Sequence, residues 1–517
     1  MDVNLQSIYS VTPAMIAAAV AAVAAAMGIL VLYRRRPPNS PPVVPGIPLL
    51  GNLLQLKESK PYHILAKWAE VYGPIYSIKL GSSSTVILNS TELSKEALVT
   101  RFSSISTRKL SNALETITGK EIIVACDYGE YHKMAKKHLI SAVLGTNAQE
   151  VLEYQKRNRP HRDCMMDNVV AKLSAKINDD DCGLVEIREI FQLELFQLAL
   201  KQSLGRDVGS IYVEELGATI SKKEMIDILV LDPLIRVLEI DWRDFFPYLR
   251  WIPNRSMEMR IRQTATRKRA VTKALIDEKR EQIAHEEEPR CYLDYLLSES
   301  ALTEEQVIAL VWEAIIETSD PPMVATEWAM YEIAKNPTKQ NRIYQEIQNV
   351  CGSEKIKEED LQHLRYLNAA FHETLRLYPP VPMTLPSHVH EDTQLGGYNI
   401  PAGTDICVNL YACNMNEKDW KEPKEWRPER FLSDEYEQMD MYKTMSFACG
   451  KRVCTGSLQA MLIACTAIGR LVQEFEWKLK EGDGDDVDTL GITMHKLHPV
   501  QAYIRPRGRC GSVQKYT

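Results

Sequence analysis

The sequence predicts a mainly α-helical protein with small β-sheets, preceded by a single transmembrane helix. Apolar residues recur with helical periodicity over most of the chain beyond residue 54. Strand-like runs are few and short, and glycine or serine bounds them. Residues 14–32 form an uninterrupted apolar run, which is long enough as a helix to cross the hydrocarbon core of a bilayer.

Six segments carry the helical pattern most strongly, and each predicts a helix: 66–72, 130–143, 185–200, 256–284, 302–335 and 344–351. Thr303 and Gln306 form a capping-box pattern at the start of the fifth. The runs 76–80 and 85–88 predict a hairpin around Gly81, and 404–410 predicts a further strand.

The bulk composition excludes some classes of function. A net charge of -7 and a pI near 6.0 provide no electrostatic footprint for nucleic acid. The 11 cysteines are scattered without paired spacing, which indicates reduced thiols and a cytosolic face for most of the chain.

Charge around the apolar run predicts its orientation. Arg34, Arg35 and Arg36 follow it directly, whereas residues 1–13 contain no lysine or arginine. The positive-inside rule then predicts a lumenal segment 1–13, an anchor at 14–33 and a cytosolic remainder. A cleaved signal peptide would need a basic segment before the apolar run. Residues 34–53 are basic and rich in proline, which predicts a stiff, extended hinge.

A loop near the C-terminus carries the residues of a metal-binding thiolate site. Phe447, Gly450, Arg452, Cys454 and Gly456 occur within ten residues. A thiolate ligand needs a lowered pKa and a shielded, hydrogen-bonded environment. The two glycines allow the backbone to approach a cofactor closely, arginine supplies positive charge, and phenylalanine supplies an apolar wall.

This loop resembles the haem-binding loop of the cytochrome P-450 family, whose pattern is F-x-x-G-x-R-x-C-x-G. The resemblance implies haem b as cofactor, with Cys454 as the axial ligand of the iron and the other four residues as its support. The thiolate donates electron density that favours cleavage of the O–O bond. It also implies that residues 54–517 form one haem-thiolate catalytic domain of the cytochrome P-450 fold.

A second motif supports the same family. Glu373 and Arg376 have the E-x-x-R spacing, which places them on one helical face. On spacing alone this is a surface pair of little energetic weight. Downstream, 428–431 resembles the P-E-R-F element of the family, in which an arginine joins the pair in a structural lock behind the haem. The resemblance assigns Glu373, Arg376 and Arg430 to folding and haem retention.

The helix predicted over 302–335 departs from the family pattern. The family places an acid followed by threonine there, and the threonine hydroxyl serves proton delivery. This chain has Asp320 followed by Pro321 and Pro322. Because proline disrupts a helix interior, we predict a break or sharp kink, with Asp320 as N-cap of a second half. Asp320 and Thr318 are the candidate catalytic residues.

The usual haem-propionate contacts also depart from the pattern. Ser387 stands where relatives carry arginine, and the adjacent His388 is the candidate replacement.

The W-x-x-x-R motif of an earlier helix is missing, with Tyr131 and Ala135 in its two positions. His132 and Lys136 are the candidate substitutes, and ordinary surface polarity is the favoured interpretation of His132.

Longer stretches resemble plant ent-kaurene oxidases and their close relatives: 312–337, 388–414 and 450–461. The resemblance implies a monooxygenase of the endoplasmic reticulum membrane that oxidises a hydrophobic ent-kaurene-type diterpene in gibberellin or defence biosynthesis. Electrons would come from NADPH through a membrane-bound reductase. Two alternatives remain open, because the prolines replace the relay threonine: a haem-binding relative with impaired or no turnover, and a haem-thiolate rearrangement enzyme.

Overall fold

Helices occupy most of the described chain in the computed structural model. It describes residues 38–56, 60–143, 148–179, 183–283, 291–299, 301–432, 444–488 and 491–508. The predicted lumenal segment and anchor lie outside these ranges. None of the described helices is long and apolar enough to span a bilayer.

The helices are labelled in chain order: α1 Pro61–Tyr72, α2 Thr91–Lys95, α3 Asn112–Thr118, α4 Glu130–Val143, α5 Ala148–Asp179, α6 Ile187–Leu204, α7 Lys222–Ile226, α8 Asp232–Arg236, α9 Trp242–Phe245, α10 Arg255–Ile283, α11 Tyr292–Leu297, α12 Glu304–Lys335, α13 Pro337–Cys351, α14 Arg365–Leu377, α15 Leu410–Met415 and α16 Ser457–Glu474. Each predicted helix has a counterpart, and the prediction for α4 coincides with the helix at both ends.

The strands are β1 Ile75–Leu80, β2 Ser83–Leu88, β3 Thr107–Arg108, β4 Leu184–Glu186, β5 Ser210–Val213, β6 Ala218–Ser221, β7 Ser387–His388, β8 Thr393–Leu395, β9 Tyr398–Ile400, β10 Asp405–Val408, β11 Phe475–Leu479 and β12 Gln501–Pro506. They form a five-stranded sheet in the order β1-β2-β10-β7-β3, a three-stranded sheet β11-β12-β4, and two hairpins. The predicted hairpin is β1 and β2, which pair antiparallel with Leu80 opposite Ser83. The predicted strand over 404–410 is β10.

Part of the predicted hinge packs against this sheet. The Val44 N–H donates to Ser77 O at 3.0 Å, and the Asn52 N–H donates to Lys79 O at 2.7 Å. Ser77 and Lys79 lie on β1, so residues 44–52 are fixed to the edge of the large sheet. This part of the chain therefore belongs to the folded body.

Helix α12 crosses the interior and divides it. Its first half, from Val307 to Ile315, belongs to a core cluster shared with α6, α10 and α11. Its second half, from Met323 to Ala334, belongs to a cluster shared with α14 and α16. The segment between the two clusters borders a cavity.

The predicted break in this helix is wrong. Helix α12 is continuous from Glu304 to Lys335, with Pro321 and Pro322 inside it. Its start is as predicted, since Thr303 and Gln306 form a complete capping box. Each proline removes one backbone N–H donor from the helix. Packing of both flanks in separate core clusters outweighs that loss, so tertiary structure overrides the local preference.

Candidate functional site

A cavity of about 400 Å³ lies beneath the middle of α12. Its walls are α12 between Trp312 and Pro322, the loop between Ser446 and Gly456, and segments 122–124 and 380–385. The lining is predominantly apolar. The cavity therefore brings the cysteine motif and the proline-bearing helix to opposite sides of one space.

Two residues of the cysteine loop have a left-handed backbone, and one of them must be glycine. Ala448 and Gly450 both adopt positive φ, at 55° and 69°. A Cβ on Gly450 would come within 2.3 Å of Leu98 O, so the position requires glycine. The Cys454 N–H donates to Phe447 O at 2.9 Å, which closes the loop just before α16 begins at Ser457.

The Cys454 thiol faces the cavity and is otherwise enclosed by protein. Burial raises the pKa of Cys454 to about 12, and the nearby Glu317 carboxyl adds to the increase. The Gly456 N–H and the Lys136 ammonium act in the opposite direction. Burial therefore disfavours the thiolate form, which a bound cation would stabilise.

Cationic side chains cluster at one end of the cavity. Arg452 donates to Ser106 O at 3.1 Å and to Cys126 O at 2.9 Å. Arg108 donates to Leu385 O at 2.8 Å, and its Nη1 lies 3.4 Å from Ser387 Oγ.

Lys136 and His132 complete this cluster. The Lys136 ammonium donates to Lys451 O at 3.2 Å and to Val453 O at 3.0 Å. In the described chain, no carboxylate forms an ion pair with Lys136, Arg108 or Arg452. All three reach backbone carbonyls and still line the cavity, so the cluster has an unbalanced positive charge.

Burial and mutual repulsion lower pKa values within this cluster. Burial and, next, Arg452 lower the pKa of the Arg108 guanidinium to about 10. Burial, with Arg452, Lys136 and Arg108, lowers the pKa of His132 to about 4. An anion at this end of the cavity would relieve both effects. The interpretation of His132 as surface polarity is wrong, because only 2% of the residue is exposed.

His388, the predicted propionate contact, lies away from the cavity. His388 Nδ1 is 2.8 Å from Asp405 Oδ1 in the large sheet, and His388 is not part of the cavity wall. An arginine does lie beside Ser387, but it is Arg108 on β3, the strand that pairs with β7. Sequence reasoning missed Arg108 because nothing in its local pattern indicates that β3 lies beside β7.

Glu373, Arg376 and Arg430 meet behind the cavity. Arg376 donates two hydrogen bonds of 2.8 Å to the Glu373 carboxylate, and Arg430 donates a third of 3.0 Å. Glu373 and Arg376 are fully buried. Arg376 also donates to Asn414 O at 2.9 Å, and the Arg427 N–H donates to Glu373 Oε1 at 2.8 Å. This is a buried, hydrogen-bonded ionic lock that ties α14 to the segment containing Arg430.

The α12 wall contains three acids. Glu313 accepts hydrogen bonds from the Ile123 and Val124 N–H groups at 2.8 and 2.9 Å. Burial and the neighbouring Glu317 raise the pKa of Glu313 well above its usual range.

Glu317 lines the cavity one turn further along α12, and burial raises its pKa to about 7. Sequence reasoning did not single out Glu317, although its spacing from Asp320 places both on the cavity side of α12.

Asp320 and Thr318 both line the cavity. Asp320 is 1% exposed, and its Oδ1 lies 2.8 Å from His495 Nε2. Thr318 shares this wall with Pro321 and Pro322. The structure thus brings both candidate catalytic residues to the cavity, and it adds a histidine partner for Asp320 that the sequence did not indicate.

The sequence matches a protein-family model and is similar to named plant proteins. The cytochrome P-450 family model matches residues 41–501. The chain is 53% identical over 491 residues to ent-kaurene oxidase 2 of Oryza sativa subsp. japonica, covering 95% of this chain and 96% of that protein. It is 52% identical to ent-kaurene oxidase of Salvia miltiorrhiza, covering 91% and 90%.

A hydroxylase and a solved structure are also similar. The chain is 51% identical to ent-sandaracopimaradiene 3-hydroxylase of Oryza sativa subsp. japonica, covering 91% of this chain and 92% of that protein. The structure of a zebra fish cytochrome P-450 with abiraterone superposes with a TM-score of 0.68 at 19% identity, covering 87% of this chain and 100% of the other. At that identity the likeness concerns the fold.

Proposed function

Because the chain belongs to the cytochrome P-450 family, we propose that it is a membrane-anchored monooxygenase that oxidises a hydrophobic diterpene of the ent-kaurene type. Membership makes it a haem b oxidoreductase that incorporates oxygen with electrons from NADPH through a reductase. The observation that carries the proposal is the apolar cavity between Cys454 and the acid-bearing face of α12. About half of all residues are identical to those of ent-kaurene oxidases and of a diterpene hydroxylase.

The residues that line the cavity fit haem b. A thiol at one wall suits an axial ligand of iron, and an unbalanced cationic cluster at one end suits the two propionates. Cys454 is the proposed ligand, within the loop shaped by Phe447, Gly450 and Gly456. Arg452 and Arg108 are the proposed propionate donors. Arg108 takes the part that the sequence suggested for His388.

The proposed catalytic residues deliver protons from α12. When bound, the haem activates O2 for insertion into a C–H bond, a reaction that consumes protons. Asp320 would transfer protons at the cavity wall, and the Thr318 hydroxyl on the same wall would pass them on. Helix α12 excludes bulk water from this side, because its flanks are buried in two core clusters.

The apolar walls favour a hydrocarbon substrate. Aliphatic and aromatic side chains dominate the cavity away from the cations: Leu114, Ile122, Leu234, Val237, Trp312, Ile316, Val381 and Ile492. A rigid polycyclic hydrocarbon would bind there by burying apolar surface, with few hydrogen bonds to fix it. This agrees with the hydrocarbon substrates after which the related plant enzymes are named.

The proposed anchor agrees with the surface of the folded body. Two segments expose large apolar side chains: Ile47, Leu49 and Leu54 in one, and Ile235, Leu238, Ile240, Tyr248 and Trp251 in the other. Both contact the turn between β1 and β2, since Gly81 N–H donates to Leu50 O and Ser82 N–H donates to Phe245 O. We call this surface the apolar face. It adjoins the beginning of the described chain, where the anchor at 14–33 would place a bilayer.

The domain proposal follows from the same placement. Residues 1–13 are lumenal, 14–33 span the endoplasmic reticulum membrane, and the catalytic body lies in the cytosol beside a membrane-bound NADPH-dependent reductase. The body begins earlier than residue 54, since residues 44–52 are bonded to β1 and the family match begins at residue 41.

The prolines favour a second candidate, a haem protein with impaired or no turnover. No hydroxyl stands at Pro321, where the family carries threonine, so reduced oxygen would escape as hydrogen peroxide. A haem-thiolate rearrangement enzyme, which converts a pre-oxidised substrate without NADPH, needs no such hydroxyl either. Pro321→Thr should increase product per NADPH if the monooxygenase proposal is correct.

Reconstitution in microsomes separates the candidates. The chain, a plant reductase and NADPH are incubated with a panel of ent-kaurane-type hydrocarbons, and products are identified by mass spectrometry. Oxidised diterpene supports the proposal, peroxide alone supports impaired turnover, and conversion of a hydroperoxide without NADPH supports rearrangement. Cys454→Ala should abolish the haem-thiolate carbonyl difference spectrum, and an unchanged spectrum would refute the proposed ligand.

A further inference from the structure

His495 and Asp320 form a pair that joins two distant parts of the chain. His495 Nε2 lies 2.8 Å from Asp320 Oδ1, although 175 positions separate the two residues. His495 belongs to the segment 493–500 that leads into β12, whereas Asp320 lies at the middle of α12. The contact is therefore a product of tertiary structure.

The segment that carries His495 is clamped in place. The indole N–H of Trp328, two turns beyond Asp320 on α12, donates to Met494 O at 2.7 Å. Arg188 at the start of α6 donates to Lys496 O at 2.5 Å. These bonds fix the backbone on both sides of His495, so its imidazole is held against Asp320.

The two members of the pair face different sides of the cavity wall. Asp320 lines the cavity and is 1% exposed, and its Oδ2 has no hydrogen-bond partner among the described residues. The His495 side chain is 14% exposed and does not line the cavity. The pair therefore joins a carboxylate on the cavity wall to an imidazole that lies behind that wall and is partly exposed.

A further polar group lies on the inner side. Thr493 lines the cavity, and its buried hydroxyl has no hydrogen-bond partner in the described chain. Buried polar groups of this kind are normally satisfied by protein or by ordered water. The unpartnered oxygens of Asp320 and Thr493 are therefore the positions on this wall where we expect ordered water to bind.

We propose that His495 positions Asp320 and supplies it with protons from solvent. This rests on the monooxygenase function proposed above. The imidazolium gives its Nε2 proton to Asp320 Oδ1, and rotation of the carboxylic acid about its Cβ–Cγ bond presents that proton to the cavity. The neutral imidazole keeps its Nδ1 proton, and Nε2 regains a proton from solvent once the acid has rotated away from it. One proton crosses the wall per cycle, and both side chains return to their starting state.

The surroundings of His495 favour its protonated form. The charged groups around it are Asp320 and Glu327 on α12, Arg188 on α6, and Asp488 and Lys496, which lie close to His495 in the same C-terminal part of the chain. Burial lowers the pKa of His495, but the Asp320 carboxylate outweighs burial and the net shift is upward. Arg188 is held by three hydrogen bonds to Glu327, and Lys496 is paired with Asp483, which limits their repulsion.

The test compares His495→Gln with His498→Gln in the full-length, reductase-coupled protein. Glutamine keeps a side-chain donor near Asp320 but cannot titrate, and the exposed His498 lies in the same segment. We expect His495→Gln to lower NADPH-driven O2 consumption by about tenfold, a modest share of the usual effect of general acid catalysis. His498→Gln should consume O2 at the wild-type rate. Both variants should show the reduced carbonyl spectrum of the wild type.

The pH profile distinguishes proton supply from mere support of Asp320. The wild-type rate should fall as pH rises through the pKa of His495, because the imidazolium is consumed, and the His495→Gln rate should not show this fall. A second readout needs no turnover: imidazole C2–H exchange followed by mass spectrometry should give a higher pKa for His495 in the wild type than in Asp320→Asn.

The outcomes separate this inference from the proposed function. O2 consumption requires protons whether it ends in product or in hydrogen peroxide, so it reports proton supply without reference to the diterpene. Equal rates for His495→Gln and His498→Gln would overturn the inference. Normal O2 consumption by the wild type with no oxidised diterpene would overturn the proposed substrate, and a lower rate in His495→Gln than in His498→Gln would still support the inference.

Discussion

Single side chains decide what the cavity can hold. Arg108 and Arg452 approach the same end of it, and burial together with their mutual repulsion lowers the pKa of Arg108. Each guanidinium is oriented by backbone carbonyls, which fixes its direction without neutralising its charge. The arrangement is costly unless an anion binds there, so the residues themselves select for a dianionic ligand such as the haem propionates.

Replacing Arg108 should weaken haem retention. Arg108→Ala removes one charge-assisted donor, worth about 1.5–3 kcal/mol, and haem should transfer to apomyoglobin roughly 10–100 times faster. The rate of haem loss from Arg108→Lys should lie between those of the wild type and Arg108→Ala, because lysine keeps the charge and lacks the planar guanidinium. Lys109→Ala is the control, since Lys109 is exposed and pairs with Asp405 outside the cavity. Equal haem loss in Arg108→Ala and Lys109→Ala would show that Arg108 has no part in binding.

The ionic lock should be far more sensitive than a surface pair. Glu373→Gln leaves two buried guanidiniums without their carboxylate, a loss of about 3–5 kcal/mol. We expect little folded haem protein, measured as haem content per polypeptide and as thermal unfolding temperature. The matched control is Glu429→Gln, whose half-exposed carboxylate pairs with Arg342 and should cost about 0–1 kcal/mol. A stable, haem-replete Glu373→Gln protein would contradict this ranking.

At the scale of elements, α12 is the member that carries both strain and chemistry. Two consecutive prolines interrupt its hydrogen-bond ladder above the cavity, yet the helix continues because its halves are anchored in separate clusters. The weakened turn lies between the two anchors. Its side chains, including Asp320 and Thr318, are therefore held from both ends and not by the local ladder.

Removing the prolines should stabilise the protein. Pro321→Ala and Pro322→Ala each restore a backbone donor and remove a clash with the preceding turn, for a gain of up to about 3 kcal/mol each. Differential scanning calorimetry should show a higher unfolding temperature for each variant. Pro337→Ala is the control, because Pro337 occupies the first turn of α13, where its missing N–H costs nothing. An unchanged or lower temperature for Pro321→Ala and Pro322→Ala would mean that the helix already accommodates both rings.

At the scale of the whole molecule, local sequence patterns predict the elements but not the long-range contacts between them. The helices and the β1–β2 hairpin were predictable because periodicity and turn residues are local signals. The position of Cys454 beside a cavity follows from a ten-residue motif. Arg108 and His495 were not predictable, since each reaches the site through a packing of elements that no local pattern encodes. The break at Pro321 was predicted wrongly for the same reason, because burial of the flanks outweighs proline.

The apolar face provides the last prediction, on how the body sits against a membrane. Trp251 is 78% exposed and lies on this face. In full-length protein in liposomes, doxyl-labelled lipids should quench Trp251, so Trp251→Phe should lose most of the quenchable fluorescence. The control adds a tryptophan at Val350 on α13 in that background, since Val350 is an exposed apolar residue outside the two segments of the apolar face. Strong quenching at Val350 and none at Trp251 would place a different surface on the bilayer. The expected result would show that burial of apolar side chains, about 1.5–3 kcal/mol each, holds the apolar face against the bilayer.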